Sequence, residues 1–587
     1  MITPITPEYV VSDTIFDAAR FMVDRSGAAE VIDSYTHKGC GRTRSTITYT
    51  TCAFLTALII RVCLQRPPTL RGIHATIADF TRDQLSTVGM GEQDITPIHE
   101  DSRGEYARFH QWATAMLRPL DSGPDLPARR ISNADHHRQL AARTREQQAV
   151  ATTANQRALH VINRIVAASI DDPAPSGYRG DVVADESVFD LAKPSRGLGS
   201  RPEKNRGAAY IGQYYIRDAK TGAITTDLRG QQISKAGFGL GLSAVTRVGA
   251  GTALHSVPPV IIGIDVHAPT SGSVDGLRNA LRHAASNGLT GPPPSRRRWP
   301  YLTIDMGYNI KRDFGDTMLD LKYSPVARYP QHWKLTFLAA PITATGRLPG
   351  PIQAAGAFYC PAAAELLAEP RPPKTRDLLE SGGWRAHDDR LRRTLPFLMG
   401  TNARPTVARA TGGRPAAHRA PEMKVKLELV CPAVQLRVRC PLKPASMTQA
   451  EPGTPTAAPS WNAADRACCA NSVTTVSLTD DQFRLAQWDM VPGSWEHTVY
   501  FEAARALTEQ RFALLKSPTV TGVRDLLTGV RREPLLKLIL AAAVAVANHR
   551  TQQAHYQRQP KPESIHTRWR QIADGLGFEP TRTPPRT

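Results

Sequence analysis

The sequence predicts an α/β fold, with a helical N-terminal region and a mainly β segment interrupting the main body. Three observations carry that prediction. Apolar runs at 181–190, 237–248, 260–266 and 301–305 have the length of buried strands. A helical period fills 275–285 and also 495–516, which lacks Gly and Pro and is rich in Ala, Leu, Glu and Arg. Met423, Val425, Leu427 and Leu429 alternate with charged residues. Val434, Leu436 and Val438 resume the alternation after Pro432-Ala433, the pattern of a β-hairpin.

At 587 residues the chain has room for several domains and for a sizeable core. Its 73 Lys plus Arg exceed its 53 Asp plus Glu, giving +20. That excess favours a polyanionic partner, because each phosphate neutralised releases counterions. Charge alone does not separate DNA from RNA or from an anionic membrane. Eight cysteines in so long a chain are no disulfide framework, and the Met1 region has no basic-then-apolar leader, so a cytoplasmic, reducing location is expected. The most apolar runs, 46–64 and 535–547, are broken by Arg61 and Lys537 and are too short to span a bilayer. Both read as buried helices, and no membrane partner is expected.

In chain order, residues 1–125 read as a helical domain. Arg42 and Arg44 precede an apolar helix over about 46–65, which Pro67-Pro68 stops, and Leu70, Ile73, Ile77 and Phe80 then share one face. Such a pair presents a recognition helix to DNA or forms a plain bundle. A further amphipathic stretch, 106–117, carries Tyr106, Phe109, Trp112, Ala113 and Leu117 beside Arg103, Arg108 and Arg118. Residues 126–177 read as linker and helix, with the Pro-rich, Asp-rich stretch 119–130 as the joint. The first part of the core spans 178–320. Within it Lys204, Arg206, Arg217, Lys220 and Arg229 either follow a DNA backbone or line a solvated rim. Asp265 and His267 read as structural. Arg296, Arg297 and Arg298 stand in a Pro-rich loop as candidate phosphate contacts. Asp185 ends an apolar run, with Asp181 and Asp190 as alternatives, and Tyr301-Leu-Thr-Ile-Asp305-Met-Gly-Tyr308 gives a strand, an acid and a glycine turn. The ordinary reading of each acid is a turn residue.

On the 495–516 helix, Arg505, Glu509, Phe512 and Lys516 fall on one stripe at about 100° per residue. A surface ladder of ion pairs explains such a stripe. The spacing, however, matches the Arg-x3-Glu-x6-Lys part of a signature of bacterial insertion-sequence transposases, the DDE enzymes, and the chain resembles that family. The full signature has Tyr three residues before the Arg; here Glu502 stands there, and the nearest tyrosine is Tyr500. The resemblance implies a ribonuclease H-like core, with a mixed sheet flanked by helices. It implies Asp185, Asp305 and Glu509 as catalytic and metal-holding carboxylates, Arg505 and Lys516 as DNA contacts, and 1–125 as a helical DNA-binding domain with Arg42 and Arg44 among its contacts. Phe314 takes the later aromatic position of the second motif. It also implies Mg²⁺ or Mn²⁺ as cofactor, transposon ends and target as double-stranded DNA partners, and a homodimer on DNA, hence nucleoid association.

From Asp305 to Glu509 there are 204 positions, far more than one connection needs, so an inserted mainly β domain is expected over 321–494. Proline-rich loops at 400–421 and 441–459 flank its hairpin. Five cysteines fall here: Cys360, Cys431, Cys440, Cys468 and Cys469. The usual pair of two-residue knuckles is missing and vicinal cysteines rarely supply two ligands, so buried reduced thiols are expected over structural Zn²⁺. The core resumes over 495–550, and 551–587 reads as a loose basic extension. The expected function is Mg²⁺-dependent cleavage at transposon ends with strand transfer. A nuclease without transfer, or an inactive transposase-derived DNA-binding protein, is the alternative.

Overall fold

The computed structural model describes residues 11–36, 49–92, 94–95, 98, 102–127, 131–192, 209–218, 225–226, 232–295, 298–309, 311, 313–329, 336–338, 350–368, 382–408, 424–524, 526–557 and 564–586. Arg42, Arg44, Lys204, Arg206, Lys220, Arg229, Arg296 and Arg297 lie outside these residues. The fold is mixed α/β, with several sheets and many helices.

The N-terminal helices are α1 (Asp13–Ser26), α2 (Ala28–Tyr35), α3 (Thr51–Cys63), α4 (Leu70–Ala78), α5 (Arg82–Thr87) and α6 (Ser102–Leu117). Thr50, Thr69 and Thr81 start α3, α4 and α5 by accepting the N–H of Ala53, Gly72 and Gln84, which satisfies an otherwise orphaned donor at each N-terminus. Helix α3 has no charge before Arg61 and is buried along nearly its whole length. Two further helices follow, α7 (Asn133–Ala141) and α8 (Arg145–Ala168). Between α6 and α7 the expected linker is tied down: Leu120 and Leu126 are buried, and Asp125 pairs with Arg143 at 2.8 Å.

The central sheet comprises β1 (Val182–Asp190), β2 (Gln213–Asp218), β3 (Thr225–Thr226), β4 (Gln232–Arg247), β5 (Ile261–His267), β6 (Tyr301–Ile304) and β7 (Ser324–Ala327). Helices α9 (Ser273–Ser286) and α10 (Phe314–Leu321) flank β6 in the chain, and Phe314 is buried at the start of α10. The long β4 is the spine. β1 pairs antiparallel along one side of it, while β2 and β5 pair antiparallel along the other. β6 runs parallel to β1, and β7 parallel to β6. Across β5, β4, β1, β6 and β7, only β4 opposes the rest. Because β7 belongs to this sheet, the first part of the core reaches Ala327 rather than residue 320. Gly263 lets α9 lie directly on β5: a Cβ there would meet the Ala280 carbonyl oxygen at 2.2 Å.

Residues 321–494 otherwise form the insertion. β8 (Thr336–Leu338), β9 (Ile352–Ala354) and β10 (Ala357–Tyr359) make one small sheet. After α11 (Trp384–Thr394), a second sheet gathers β11 (Gly400–Thr401), β12 (Thr406–Ala408) and β14 (Val473–Leu478) around β13 (Lys424–Val430). The hairpin expected at 423–438 does not form. Pro432 lacks a ladder donor and Leu436 adopts φ 58°, so 431–443 turns repeatedly and β13 pairs with β14 instead. The loop 441–459 is held too, with Ser446 and Ala457 buried.

The chain then passes through α12 (Asp480–Leu485), α13 (Trp495–Leu515), α14 (Glu533–Tyr556) and α15 (Ser564–Leu576). No helix among the described residues is long and apolar enough to cross a membrane. The N-terminal helices have no core of their own: α1, α3 and α6 share one with α8, α14 and the sheet residues Phe189, Leu240 and Leu242. The expected loose tail is also overturned. Ile565, Ile572 and Leu576 are buried against α13, and beyond α15 the Thr583 N–H and hydroxyl donate to Glu496 at 3.0 and 2.9 Å. Charge and proline composition hid this because the anchoring is by a few apolar residues four and seven positions apart.

Strand β5 leaves backbone groups unpaired at its outer edge, and two asparagines satisfy them. Asn163 on α8 both donates to and accepts from Ile264 at 2.9 Å, and Asn548 on α14 does the same for Ile261 at 2.8 Å. Asn548 also donates to Ser169 at 2.9 Å. Leucine at 548 would strand a buried N–H and C=O, each costing about 1–3 kcal/mol. Asn548→Leu should therefore lower stability by roughly 2–6 kcal/mol in urea unfolding. An unchanged midpoint would show that the edge is satisfied in another way.

Candidate active site

The site is built on two adjacent parallel strands. Val182, Val183 and Ala184 of β1 stand opposite Leu302, Thr303 and Ile304 of β6. The next residues in that register are Asp185 and Asp305, so side-by-side strands deliver two carboxylates to one place. Asp305 follows the last strand residue and its Oδ1 accepts the N–H of Met306 at 2.7 Å, which opens a turn of helix over Met306–Asn309. Asp185 lies within its strand rather than at its end, since β1 continues to Asp190 with Val188 and Phe189 buried. Its Oδ1 accepts the N–H of Glu186 at 2.8 Å.

Helix α13 brings the third acid. Ser494 caps it by accepting the N–H of His497 at 3.2 Å, and Val499, Tyr500, Ala504, Leu507 and Leu515 bury one face. That seat fixes the rotation of the helix, and Arg505 and Glu509, one turn apart, come to the carboxyl end of β6, beside Asp185 within β1. Arg505 is the meeting point. Its guanidinium lies 3.0 Å from Asp305 Oδ1, 2.8 Å from Glu509 Oε1 and 3.9 Å from Asp185 Oδ2. Asp185 is the most enclosed of the acids, with 18% of its side chain exposed against 42% for Asp305 and 61% for Glu509.

Electrostatics follow from this packing. Burial pushes the Asp185 carboxyl up to about 6; Arg505 opposes that, while Asp305 and Glu509 add to it. Burial works against charge on Arg505 as well, but Asp305, Glu509 and Asp185 outweigh it and hold its pKa above the usual value. Among the described residues no group of three or more His, Cys, Asp or Glu side chains is already spaced to hold a metal ion. At the acidic cluster the guanidinium fills the intervening space, and the donor set around it is all oxygen, the kind Mg²⁺ prefers. Asp185, Asp305 and Glu509 are the residues that would hold one.

The other candidate residues have different employment. Asp181 accepts the N–H groups of Tyr301 and Gly251 at 2.8 and 3.3 Å, and Asp190 accepts the Tyr215 hydroxyl at 2.5 Å; both brace the sheet. Lys516, expected on a phosphate, donates to the Val188 carbonyl at 2.7 Å and lies 4.6 Å from the Phe189 ring centre. Arg505 likewise serves the acids first. Arg298 is exposed. Glu502, at the tyrosine position of the signature, pairs with Arg328 at 2.9 Å and Arg568 at 3.7 Å. Sequence reading missed both of those arginines, and no spacing signal points to them because they come from separate elements. Tyr500 is buried and packs edge-on to Tyr301. Asp265 accepts from Asn279 at 2.7 Å and His267 Nε2 meets the Ser243 hydroxyl at 2.8 Å, so both are structural as expected.

The Asp185 shift has a sign. Its folded value of about 6 exceeds the unfolded value near 3.9, so the proton is held more tightly in the folded state. The associated stability is complete below about pH 4 and is lost as pH rises through about 6, by roughly 3 kcal/mol. Asp185→Asn should remove that decline from urea-unfolding profiles, and Arg505→Gln should move its inflection to higher pH. A wild-type profile flat over this window would overturn the assignment. No protein-family model, no curated protein and no solved structure matches the chain.

Proposed function

We propose that this protein is a DDE-type DNA transposase with a ribonuclease H-like core, cutting at transposon ends and joining the freed 3′-hydroxyls to target DNA. The observation that carries the proposal is the convergence of Asp185, Asp305 and Glu509 on Arg505, from positions as far as 324 residues apart in the chain. Three acids gathered at the open end of a sheet, with one cation between them, are an expensive arrangement in free energy and have no role in packing. The strand order supports the core assignment: β5, β4, β1, β6, β7, with β4 alone reversed, and the first two acids on neighbouring central strands. The insertion between β7 and α13 and the +20 charge fit the same reading.

Divalent ions bound by such carboxylates activate the attacking oxygen and stabilise the leaving one. The chain's own residues prepare the site for that chemistry. Asp185 and Asp305 are fixed by the sheet register, and each also accepts a backbone N–H that holds its rotamer. Glu509 sits at the rim on a helix whose buried face sets its rotation. Arg505 offsets part of the cluster's negative charge while it is without metal, and a planar guanidinium suits a phosphate equally well. Once the acids are otherwise neutralised, Arg505 is placed to face the DNA backbone. Lys516 acts through β1, steadying the strand that carries Asp185.

A second reading, a transposase-derived DNA-binding protein without cleavage, is favoured by one feature: Glu502 occupies the signature tyrosine position and is held in ion pairs. The two separate cleanly. Asp185→Ala, Asp305→Ala and Glu509→Ala should each lower Mg²⁺-dependent cleavage of terminal DNA at least a hundredfold, on the scale of losing a group that stabilises transition-state charge. Binding to the same DNA should be retained. Cleavage that survives in Glu509→Ala removes the transposase assignment, and binding without any cleavage by the wild type favours the second reading.

A further inference from the structure

All five cysteines of the insertion line one enclosed cavity of ≈ 20 Å³, walled also by Met399, Val438, Leu442 and Ala457. That is room for about one water-sized occupant. They arrive there on repeated local structure. Cys360, Cys431 and Cys440 are each followed by proline, and each begins the same turn, its carbonyl accepting the N–H of Ala363, Val434 and Lys443 at 2.9, 3.1 and 2.9 Å. Burial pushes these three thiols up, and neighbouring backbone N–H groups oppose it: Ala362 for Cys360, Ala433 and Val434 for Cys431, Leu442 and Lys443 for Cys440. The fourth side is a short helical turn, Ala467–Ala470, where the Trp461 indole N–H donates to Cys469 Sγ at 3.3 Å.

A thiol that merely fills space needs no donor at its sulfur, and here four separate segments supply one. Amide donors directed at sulfur are what stabilise thiolate ligands around a metal. The charge balance agrees: Arg437 approaches Cys431, and its Nε and Nη1 have no hydrogen-bond partner among the described residues. Four thiolates on a dication carry a net double negative charge, which such a cation offsets. Residues 431–471 have short helical turns but little regular ladder structure, so a cross-link there would add to their stability.

We propose that Cys360, Cys431, Cys440 and Cys469 hold one structural Zn²⁺ that ties three Cys-Pro turns and the 467–470 turn into a single unit. Each thiol gives up its proton to solvent as its sulfur bonds the ion, with tetrahedral geometry and Zn–S near 2.3 Å. The sulfurs are not already at that spacing, so loading draws the turns inward. Cys468 is the fifth thiol and stands outside the ligand set. The proposal is independent of the acidic site and of any activity there.

The test is metal analysis of the full-length chain, purified under reducing conditions without chelator. The expected result is one zinc per chain, released when the thiols are titrated with an organomercurial. Cobalt exchanged into the site should show thiolate-to-metal charge-transfer absorption. Cys431→Ser and Cys469→Ser should bring zinc to background, while Cys468→Ser and Cys52→Ser keep it. Wild-type chain, folded by circular dichroism, that holds no zinc and takes up neither Zn²⁺ nor Co²⁺ would overturn the proposal. Full zinc retained in Cys431→Ser would overturn it as well.

Discussion

One guanidinium holds the candidate site together. Three carboxylates brought within reach of one another repel, and burial pushes the most enclosed of them, Asp185, up to about 6. Arg505 supplies the compensating charge from a largely enclosed position, and the acids in return hold its pKa above the usual value. Because it lies on the same helix as Glu509, the pair moves as one piece. Any cation or phosphate arriving at the site competes with that existing ion pairing, so the resting structure is a partly compensated site rather than a bare one.

Everything beneath the site serves to put β1 and β6 in register and α13 across their ends. The β4 spine carries strands on both sides, and the Asn163 and Asn548 side chains complete the outer edge of β5 with hydrogen bonds that a neighbouring strand would otherwise supply. Since those asparagines sit on α8 and α14, the same contacts lock the helical layer to the sheet. The N-terminal helices pack onto that layer and share its core. The helical and sheet parts are consequently one mechanical body around the acids.

The insertion enters between β7 and α13, and its sheets are small. Its stiffness comes from outside as well as from within: Thr581 binds Asp388 of α11 through both backbone and hydroxyl at 2.8 Å, and the Arg586 carbonyl accepts the Thr401 N–H at 2.6 Å. The C-terminal segment thus straps the insertion to the core, and Arg568 on α15 reaches Glu502 only two turns from Glu509. A thiolate-bound ion in the Cys-Pro turns would add to the same task beside that strap.

Local order was legible in the sequence because it is set by near neighbours. Apolar runs placed β1, β4, β5 and β6, the uninterrupted helical period placed α13, and its spacing put Arg505 and Glu509 on one stripe. The same locality explains the failures. Alternation at 434–438 looked like a strand, yet Pro432 and the left-handed Leu436 made turns, and a basic, Pro-containing tail looked loose until its few apolar residues found α13. The convergence of residues 185, 305 and 509 on one arginine, the diversion of Lys516 to a β1 carbonyl, and the gathering of five cysteines around one cavity belong to tertiary structure alone. Side-chain chemistry is written residue by residue, whereas the distances that turn it into a site are fixed only when strands pair and helices pack.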